Sequence, residues 1–170
     1  MFKRMCRALV RPYGRPRNGQ RHVTRFLLIP LVCLTVSGPL HAQNIQDVST
    51  EARTWVNDAR AQAGRVDLAL SPALTDAAVA HARDLAQTGR FSHVGSNGSS
   101  VGHRVRRQGY GFCFVAENIA KGQGSLDAVL KGWMTSEGHR RNMLAKQAGD
   151  FGLVRGPGDL WVMVLGASGC

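Results

Sequence analysis

Residues 150–165 read DFGLVRGPGDLWVMVL and predict a β-hairpin near the end of the chain. Its two strand segments, 150–154 and 160–165, flank a turn of glycine, proline and aspartate, which is the pattern expected of paired strands. The second run is apolar at every position, whereas a strand with one solvated face alternates between apolar and polar residues. We therefore expect residues 160–165 to form a central strand of a sheet that is covered on both faces.

Helices that could supply this cover are predicted upstream of the hairpin. They are indicated by apolar residues at helical spacing, capping residues and glycine stops, at about 49–63, 72–88, 100–108, 126–135 and 138–144. Ser49 and Thr50 are the cap candidates of the first helix, and residues 112–120 predict a further strand. Helices thus come early in the chain and strands late, so the expected fold class is α+β.

The start of the chain has the layout of an export signal. Residues 26–37 (FLLIPLVCLTVS) form an apolar run of signal-peptide length, too short to span a bilayer as a helix. Basic residues without any acid precede this run, and a small residue, Ala42, ends a possible cleavage site. We expect residues 1–42 to be a signal peptide, residues 43–170 to be one mature domain, and the protein to be secreted or periplasmic. An anchoring helix that stays attached is the alternative.

Most of the positive charge lies in this leader. The chain has 22 basic and 11 acidic residues, a net charge of +11, and eight of the basic residues precede the apolar run. The domain that follows keeps 14 basic and 11 acidic residues, a net charge of +3, so the basic composition does not indicate nucleic-acid binding. We interpret the cluster of Arg104, Arg106 and Arg107 as a solvated helix face.

The four cysteines divide in the same way as the charges. Cys6 and Cys33 belong to the leader, and Cys113 and Cys170 remain in the domain. An even number of cysteines in an oxidising compartment is typical of disulfide formation. We expect Cys113 and Cys170 to pair, which would tie the last residue to the middle of the domain.

Candidate functional residues lie in polar loops beside apolar elements. The sequence has no zinc-protease helix motif, nucleophile elbow, phosphate-binding loop or C-x-x-C pair. What remains is His93, Glu117, Glu137 and His139. Two neutral imidazoles and a carboxylate can bind a divalent ion such as zinc and leave one position open. The same groups could act as acid and base on a bound substrate, or merely satisfy the backbone of the loops.

Several motifs, in this order and spacing, carry a family resemblance. They are HARDLA at 81–86, FSH at 91–93, AENIAKG at 116–122 and WMTSEGHRRNML at 133–144. The chain resembles the CAP superfamily (cysteine-rich secretory proteins, antigen 5 and plant pathogenesis-related proteins), and within it the bacterial branch with SCP domains. The resemblance covers residues 51–167. It implies a three-layer α-β-α sandwich with a central antiparallel sheet.

The resemblance also implies a central cleft with two histidines and two glutamates. His93 and His139 match the two histidines, which ligate a divalent metal in some family members, and Glu117 matches the first glutamate. The second glutamate is the departure, because animal and plant members place it where this chain has Ser136. Glu137 lies one position further on and is the remaining candidate for that role.

Two classes of function stay open from the sequence. The first is a non-enzymatic extracytoplasmic binding protein, expected to be a monomer, whose cleft takes a divalent ion and a lipid, peptide or glycan. The second is a metal- or His/Glu-assisted hydrolase acting on a peptide or cell-envelope substrate. A structural envelope protein without a working cleft is a third interpretation. We expect His81 to be a core histidine with a hydrogen-bond partner, and Asn118 and Asn142 to brace loops.

Overall fold

A computed structural model describes residues 44–169; the predicted leader and Cys170 lie outside the described residues. No helix in this part of the chain is long and apolar enough to cross a membrane. The helices and strands in chain order are β1 (Gln46–Asp47), α1 (Ser49–Gln62), β2 (Ala69–Leu70), α2 (Pro72–Thr88), α3 (Val101–Arg107), β3 (Phe114–Lys121), α4 (Leu126–Thr135), α5 (Glu137–Met143), β4 (Asp150–Gly156) and β5 (Leu160–Ala167).

The sheet is built around the predicted hairpin. Its strand order is β1-β4-β5-β3, and β2 pairs with β4 on the same side as β1. The β1–β4, β4–β5 and β5–β3 pairs are antiparallel, and the short β2 pair is parallel. Residues 160–165 of β5 are all buried. The predicted central strand is therefore confirmed, and β3 forms one edge of the sheet.

Two apolar clusters cover the two faces of the sheet. On one face α1 and α4 pack against Trp161, Met163 and Leu165 of β5. On the other face α2 and α3 pack against Val162 and Val164 of the same strand. The alternation of a strand sends successive side chains into opposite layers. The expected α+β fold, a three-layer α-β-α sandwich around a largely antiparallel sheet, is confirmed.

The second helix begins and ends as its sequence indicates, but the first helix does not. The Ser71 hydroxyl caps α2 by accepting a hydrogen bond from the Leu74 N–H, and Gly89 ends the helix at a φ of 68°. For α1 the expected caps are wrong, because Val48 occupies the cap position and no side chain of the described residues caps the helix. Ser49 is instead buried, and its hydroxyl accepts a hydrogen bond from the Leu153 N–H of β4.

The predicted pairing of Cys113 with Cys170 remains a prediction, because Cys170 lies outside the described residues. The described part of the chain supports it through the register of β3 and β5. The Cys113 N–H donates a hydrogen bond to the Ala167 carbonyl oxygen at 2.9 Å. Cys113 therefore lies beside Ala167, at the end of β5. Ala167 precedes Cys170 by three residues, a separation that an extended chain can span.

Gly152 of β4 lets α2 lie close to the sheet because glycine has no side chain. A Cβ atom added to Gly152 of β4 would stand 2.6 Å from the Thr75 Cα atom and 2.6 Å from its Oγ1 atom. Real Cβ atoms do not approach other heavy atoms this closely, so any side chain at this position would push α2 away from β4. Because α2 carries His81 and leads into the loop with His93, its distance from the sheet positions the candidate site.

We predict that Gly152→Ala destabilises the protein by about 3 kcal/mol or more, the upper end of the usual cost of overpacking a core. The measurement is chemical denaturation followed by circular dichroism. Gly149→Ala is the matched control, because a Cβ atom there would meet no atom of residues 44–169 within 4 Å. Equal stabilities of the two variants would show that the close approach of α2 to β4 is not required.

Candidate functional site

The candidate site lies at the open edge of β3, between the two helical layers. Successive residues of this strand face opposite layers. Glu117 contacts α3 and the loop that follows α2, while Asn118 contacts α5. The strand therefore presents a carboxylate to one layer and an amide to the other, and both layers meet at its edge.

Glu117 is buried and is held by partners on both carboxylate oxygens. Its side chain is 2% exposed. The Arg104 Nη2 atom donates to Glu117 Oε2 at 2.7 Å, and the His93 Nδ1 atom lies 2.8 Å from Oε1. A buried carboxylate is stable only with such partners, because leaving water costs the charge several kcal/mol. Glu117 is thus fully engaged within the protein.

Arg104 links this carboxylate to the loop that carries His93. Besides its bond to Glu117, its guanidinium donates to the Ser99 carbonyl at 2.8 Å and to the His93 carbonyl at 3.1 Å. Arg104 is 4% exposed, so its interpretation as part of a solvated helix face is wrong. One signal was available, because Val101, Arg104 and Val105 share a face at helical spacing, and a charge on an apolar face needs a buried partner.

His93 is oriented by Glu117 and remains accessible. A carboxylate can only accept, so Nδ1 carries the proton of the hydrogen bond and Nε2 is left for another partner. The side chain is 56% exposed. The hydrogen bond to Glu117 raises the pKa of His93 above its ordinary value, and this effect outweighs the opposing effect of burial.

His139 approaches the same edge from the other layer. Its Nδ1 atom lies 2.9 Å from the Ser136 hydroxyl, and its ring centroid is 6.3 Å from that of Trp133. Burial lowers the pKa of His139, and the positive charge of His93 lowers it further. The two imidazoles are therefore close enough to influence each other. His139, Ser136 and Trp133 line a groove of about 350 Å³, within the usual size of a ligand pocket.

Two asparagines fasten α5 to the edge strand. The Asn118 side chain donates to the His139 carbonyl at 3.1 Å. The Asn142 side chain donates to the Asn118 side-chain oxygen at 2.9 Å and to the Glu117 carbonyl at 3.2 Å. Both residues brace the backbone around the cleft, as expected. The position of His139 relative to β3 depends on them.

Of the two remaining acid and histidine positions, Glu137 lies away from this group, whereas the His81 Nε2 atom is 3.7 Å from Glu117 Oε1. Glu137 is exposed, forms an ion pair with Arg141 at 2.8 Å, and lines a different groove beside Arg65. His81 is fully buried and hydrogen-bonds the Ser92 carbonyl at 2.9 Å, and burial lowers its pKa. Among residues 44–169, no three His, Cys, Asp or Glu side chains are grouped so that they could hold a metal ion.

Comparison with known protein families identifies the family of this domain. Residues 54–163, well over half of the chain, match the cysteine-rich secretory protein family, CAP. The chain belongs to this family. Two Bacillus subtilis proteins are similar to this CAP domain over 88 residues, which is 52% of the chain. The uncharacterized protein YkwD is 34% identical and the uncharacterized membrane protein YlbC is 31% identical; the matches cover 34% and 25% of those proteins. The chain thus spans well under half the length of these relatives.

Solved structures with the same fold come from other bacteria. An extracellular protein containing an SCP domain from Bacillus anthracis is 28% identical, with a TM-score of 0.66 over 70% of this chain and 40% of that one. An outer surface protein from Borrelia burgdorferi has a TM-score of 0.66 over 75% of this chain and 99% of that one. The Borrelia protein is 16% identical, so this likeness shows the fold alone.

We predict that the two cleft histidines titrate in a fixed order. The pKa of His93 lies above 6.5 and that of His139 below it, because Glu117 stabilises the charged form of His93 while burial opposes charge on His139. The proton on His93 therefore stabilises the folded state fully below pH 6.5, and this contribution is lost as the pH rises through the folded-state pKa. NMR titration of the imidazole resonances measures both values.

The matched variants for this titration are Glu117→Gln and Glu137→Gln. The first should lower the pKa of His93, because the amide carries no charge, while the second should leave it unchanged. A His93 pKa at or below that of His139 in the wild-type protein would contradict the geometry of the hydrogen bond to Glu117.

Proposed function

We propose that this CAP domain is a non-enzymatic binding module that works outside the cytoplasm. Its cleft would hold a divalent ion such as zinc together with a ligand that is a lipid, a peptide or a glycan. One observation carries the proposal: each cleft histidine has its Nδ1 atom engaged within the protein, by Glu117 for His93 and by Ser136 for His139. Each ring therefore offers Nε2 to a bound group.

The imidazole geometry fits a divalent ion in one important respect. Histidines that ligate metals usually donate their second ring N–H to a carboxylate or another oxygen, which fixes the tautomer and the ring orientation. His93 has this arrangement with Glu117, and His139 has a hydroxyl in the same place. Two imidazoles leave at least two positions of a tetrahedral zinc ion for oxygen atoms of water or of the ligand.

The state of Glu117 favours binding over hydrolysis. A general base must have a free oxygen within reach of the proton that it removes. Both oxygens of Glu117 are engaged, by Arg104 and by His93, and its side chain is buried. Glu137, the other carboxylate considered, is paired with Arg141 away from the cleft. The hydrolase interpretation therefore lacks a free carboxylate among the residues that the sequence indicated.

The location outside the cytoplasm is supported by the chain and by its neighbours. Residues 1–42 have the layout of a signal peptide. A structural neighbour that is 28% identical to this chain is described as an extracellular protein. A disulfide between Cys113 and Cys170 would form in the same oxidising compartment.

We predict that the wild-type protein binds one zinc ion in isothermal titration calorimetry at about pH 7.5, where neutral imidazoles are available as ligands. His93→Ala and His139→Ala should each weaken this binding by at least about tenfold, because each removes a direct ligand and the loss of an outer partner alone usually costs about tenfold. His103→Ala is the matched control, because His103 is exposed on α3 and contacts Ser100 rather than the cleft. Binding should also weaken as the pH falls, since the proton competes with the metal for the imidazoles.

Two results would contradict the proposal. Equal heats in the wild type and in both cleft variants would show that the metal ion does not bind at His93 and His139. Turnover of a peptide or cell-wall substrate that disappears in His139→Ala would instead favour the hydrolase interpretation.

A further inference from the structure

The edge strand β3 has unpaired backbone groups along the cleft. The Gly122 N–H donates to the Asp159 carbonyl at 3.0 Å, in register with the pairing of Lys121 with Leu160. In an antiparallel pair, residues alternate between those that bond to the partner strand and those whose N–H and C=O point away from it. Even-numbered residues of β3 therefore bond to β5, and odd-numbered residues point outward.

The protein itself covers only part of this outward edge. At Glu117 the carbonyl accepts a hydrogen bond from the Asn142 side chain, so α5 closes that end. Ile119 and Lys121 come next, and no strand lies beyond β3 in the sheet that the described residues form. In the described part of the chain, neither residue's outward N–H or C=O has a side-chain or backbone partner. Each residue offers one donor and one acceptor.

This free edge lies within the groove that contains His139. Ile119 and Lys121 line the groove together with Trp133 on the α4 side and Phe91 on the other side. A smaller adjoining groove shares Phe91 and Lys121, and Arg90 lies on its wall. Among the described residues that line the two grooves, none is Asp or Glu. The edge therefore lies in a groove with a wall on each side, and the Lys and Arg side chains that line the two grooves make this region basic.

We propose that the cleft binds an extended acidic peptide segment, which pairs with β3 at Ile119 and Lys121 as an added strand. This inference deepens the proposed function, since it names the class of ligand for the same cleft. Unpaired backbone donors and acceptors in a strand are satisfied best by another strand, and many domains recognise peptides in this way. Trp133 and Phe91 line the two sides of the groove in which this strand would lie.

The geometry also sets a side-chain pattern for the peptide. Side chains of an added strand alternate between the two layers. Those that point toward α2 meet Lys121 and Arg90, where an acidic residue is favoured. Those that point toward α4 meet Val129 and Trp133, where an apolar residue is favoured. The preferred segment therefore alternates acidic and apolar residues.

The test uses two blocked peptides, one of alternating valine and glutamate and one of alternating valine and lysine, added to the full chain. Amide hydrogen exchange is followed by NMR at single residues. The glutamate peptide should slow exchange at Ile119 and Lys121 by about tenfold or more, since a hydrogen-bonded amide exchanges only on local opening. Asn118 and Ala120, which already bond to β5, should change little. The lysine peptide should have no effect.

Substitutions at one position separate the backbone from the charge. Lys121→Pro removes the outward N–H, a change that edge strands tolerate, and should abolish binding of the glutamate peptide. Lys121→Gln keeps the N–H and removes the charge, and should weaken binding severalfold. Zinc binding by Lys121→Pro should match the wild type, so a failure of the peptide proposal and a failure of the metal proposal give different results.

Three results would overturn the inference. The first is the absence of binding of the glutamate peptide at millimolar concentration, and the second is binding without protection of the Ile119 and Lys121 amides. The third is protection of these amides that grows with protein concentration in the absence of peptide, which would assign the edge to a second copy of the chain.

Discussion

The buried carboxylate of Glu117 is the constraint on which the site depends. It leaves water only because Arg104 supplies a full opposite charge and His93 supplies a hydrogen bond. These partners come from α3 and from the loop after α2, so satisfying one charge fixes the relative positions of three segments. Arg104 extends the constraint by holding the carbonyls of Ser99 and His93. The loop that carries His93 is thereby held both by its backbone and by the imidazole ring of His93.

The edge position of β3 leaves room for the groove beside it. If β3 lay inside the sheet, its outward groups would be consumed by another strand, and the two helical layers would be separated by it. At the edge the layers come together, so that His139 lines a groove that also contains Ile119 and Lys121 of β3. Asn118 and Asn142 close the other end of that edge.

The sequence predicted the layers better than it predicted the contacts between them. The continuous apolar run 160–165 indicated a strand covered on both faces, and all six of these residues are buried in the sheet. The motifs around His93 and Glu117 indicated both as site residues. No local sequence pattern, however, shows that α3 and the loop after α2 both bind the carboxylate of Glu117. Arg104 was misread because charged residues on short helices are usually solvated. Glu137 could not be placed by motif alone, because one position along a helix rotates a side chain by about 100°.

The most direct test of this account is a double-mutant cycle on Arg104 and Glu117, with stability measured by chemical denaturation. Arg104→Met and Glu117→Gln should each destabilise the protein by about 3–5 kcal/mol, because each leaves its partner buried without a counter-charge. The double variant should lose less stability than the sum of the two single losses. The difference should be about 0.5–3 kcal/mol, as expected for residues in one network. Costs that add to within about 0.5 kcal/mol would contradict the account, because they would show that the two charges do not depend on each other.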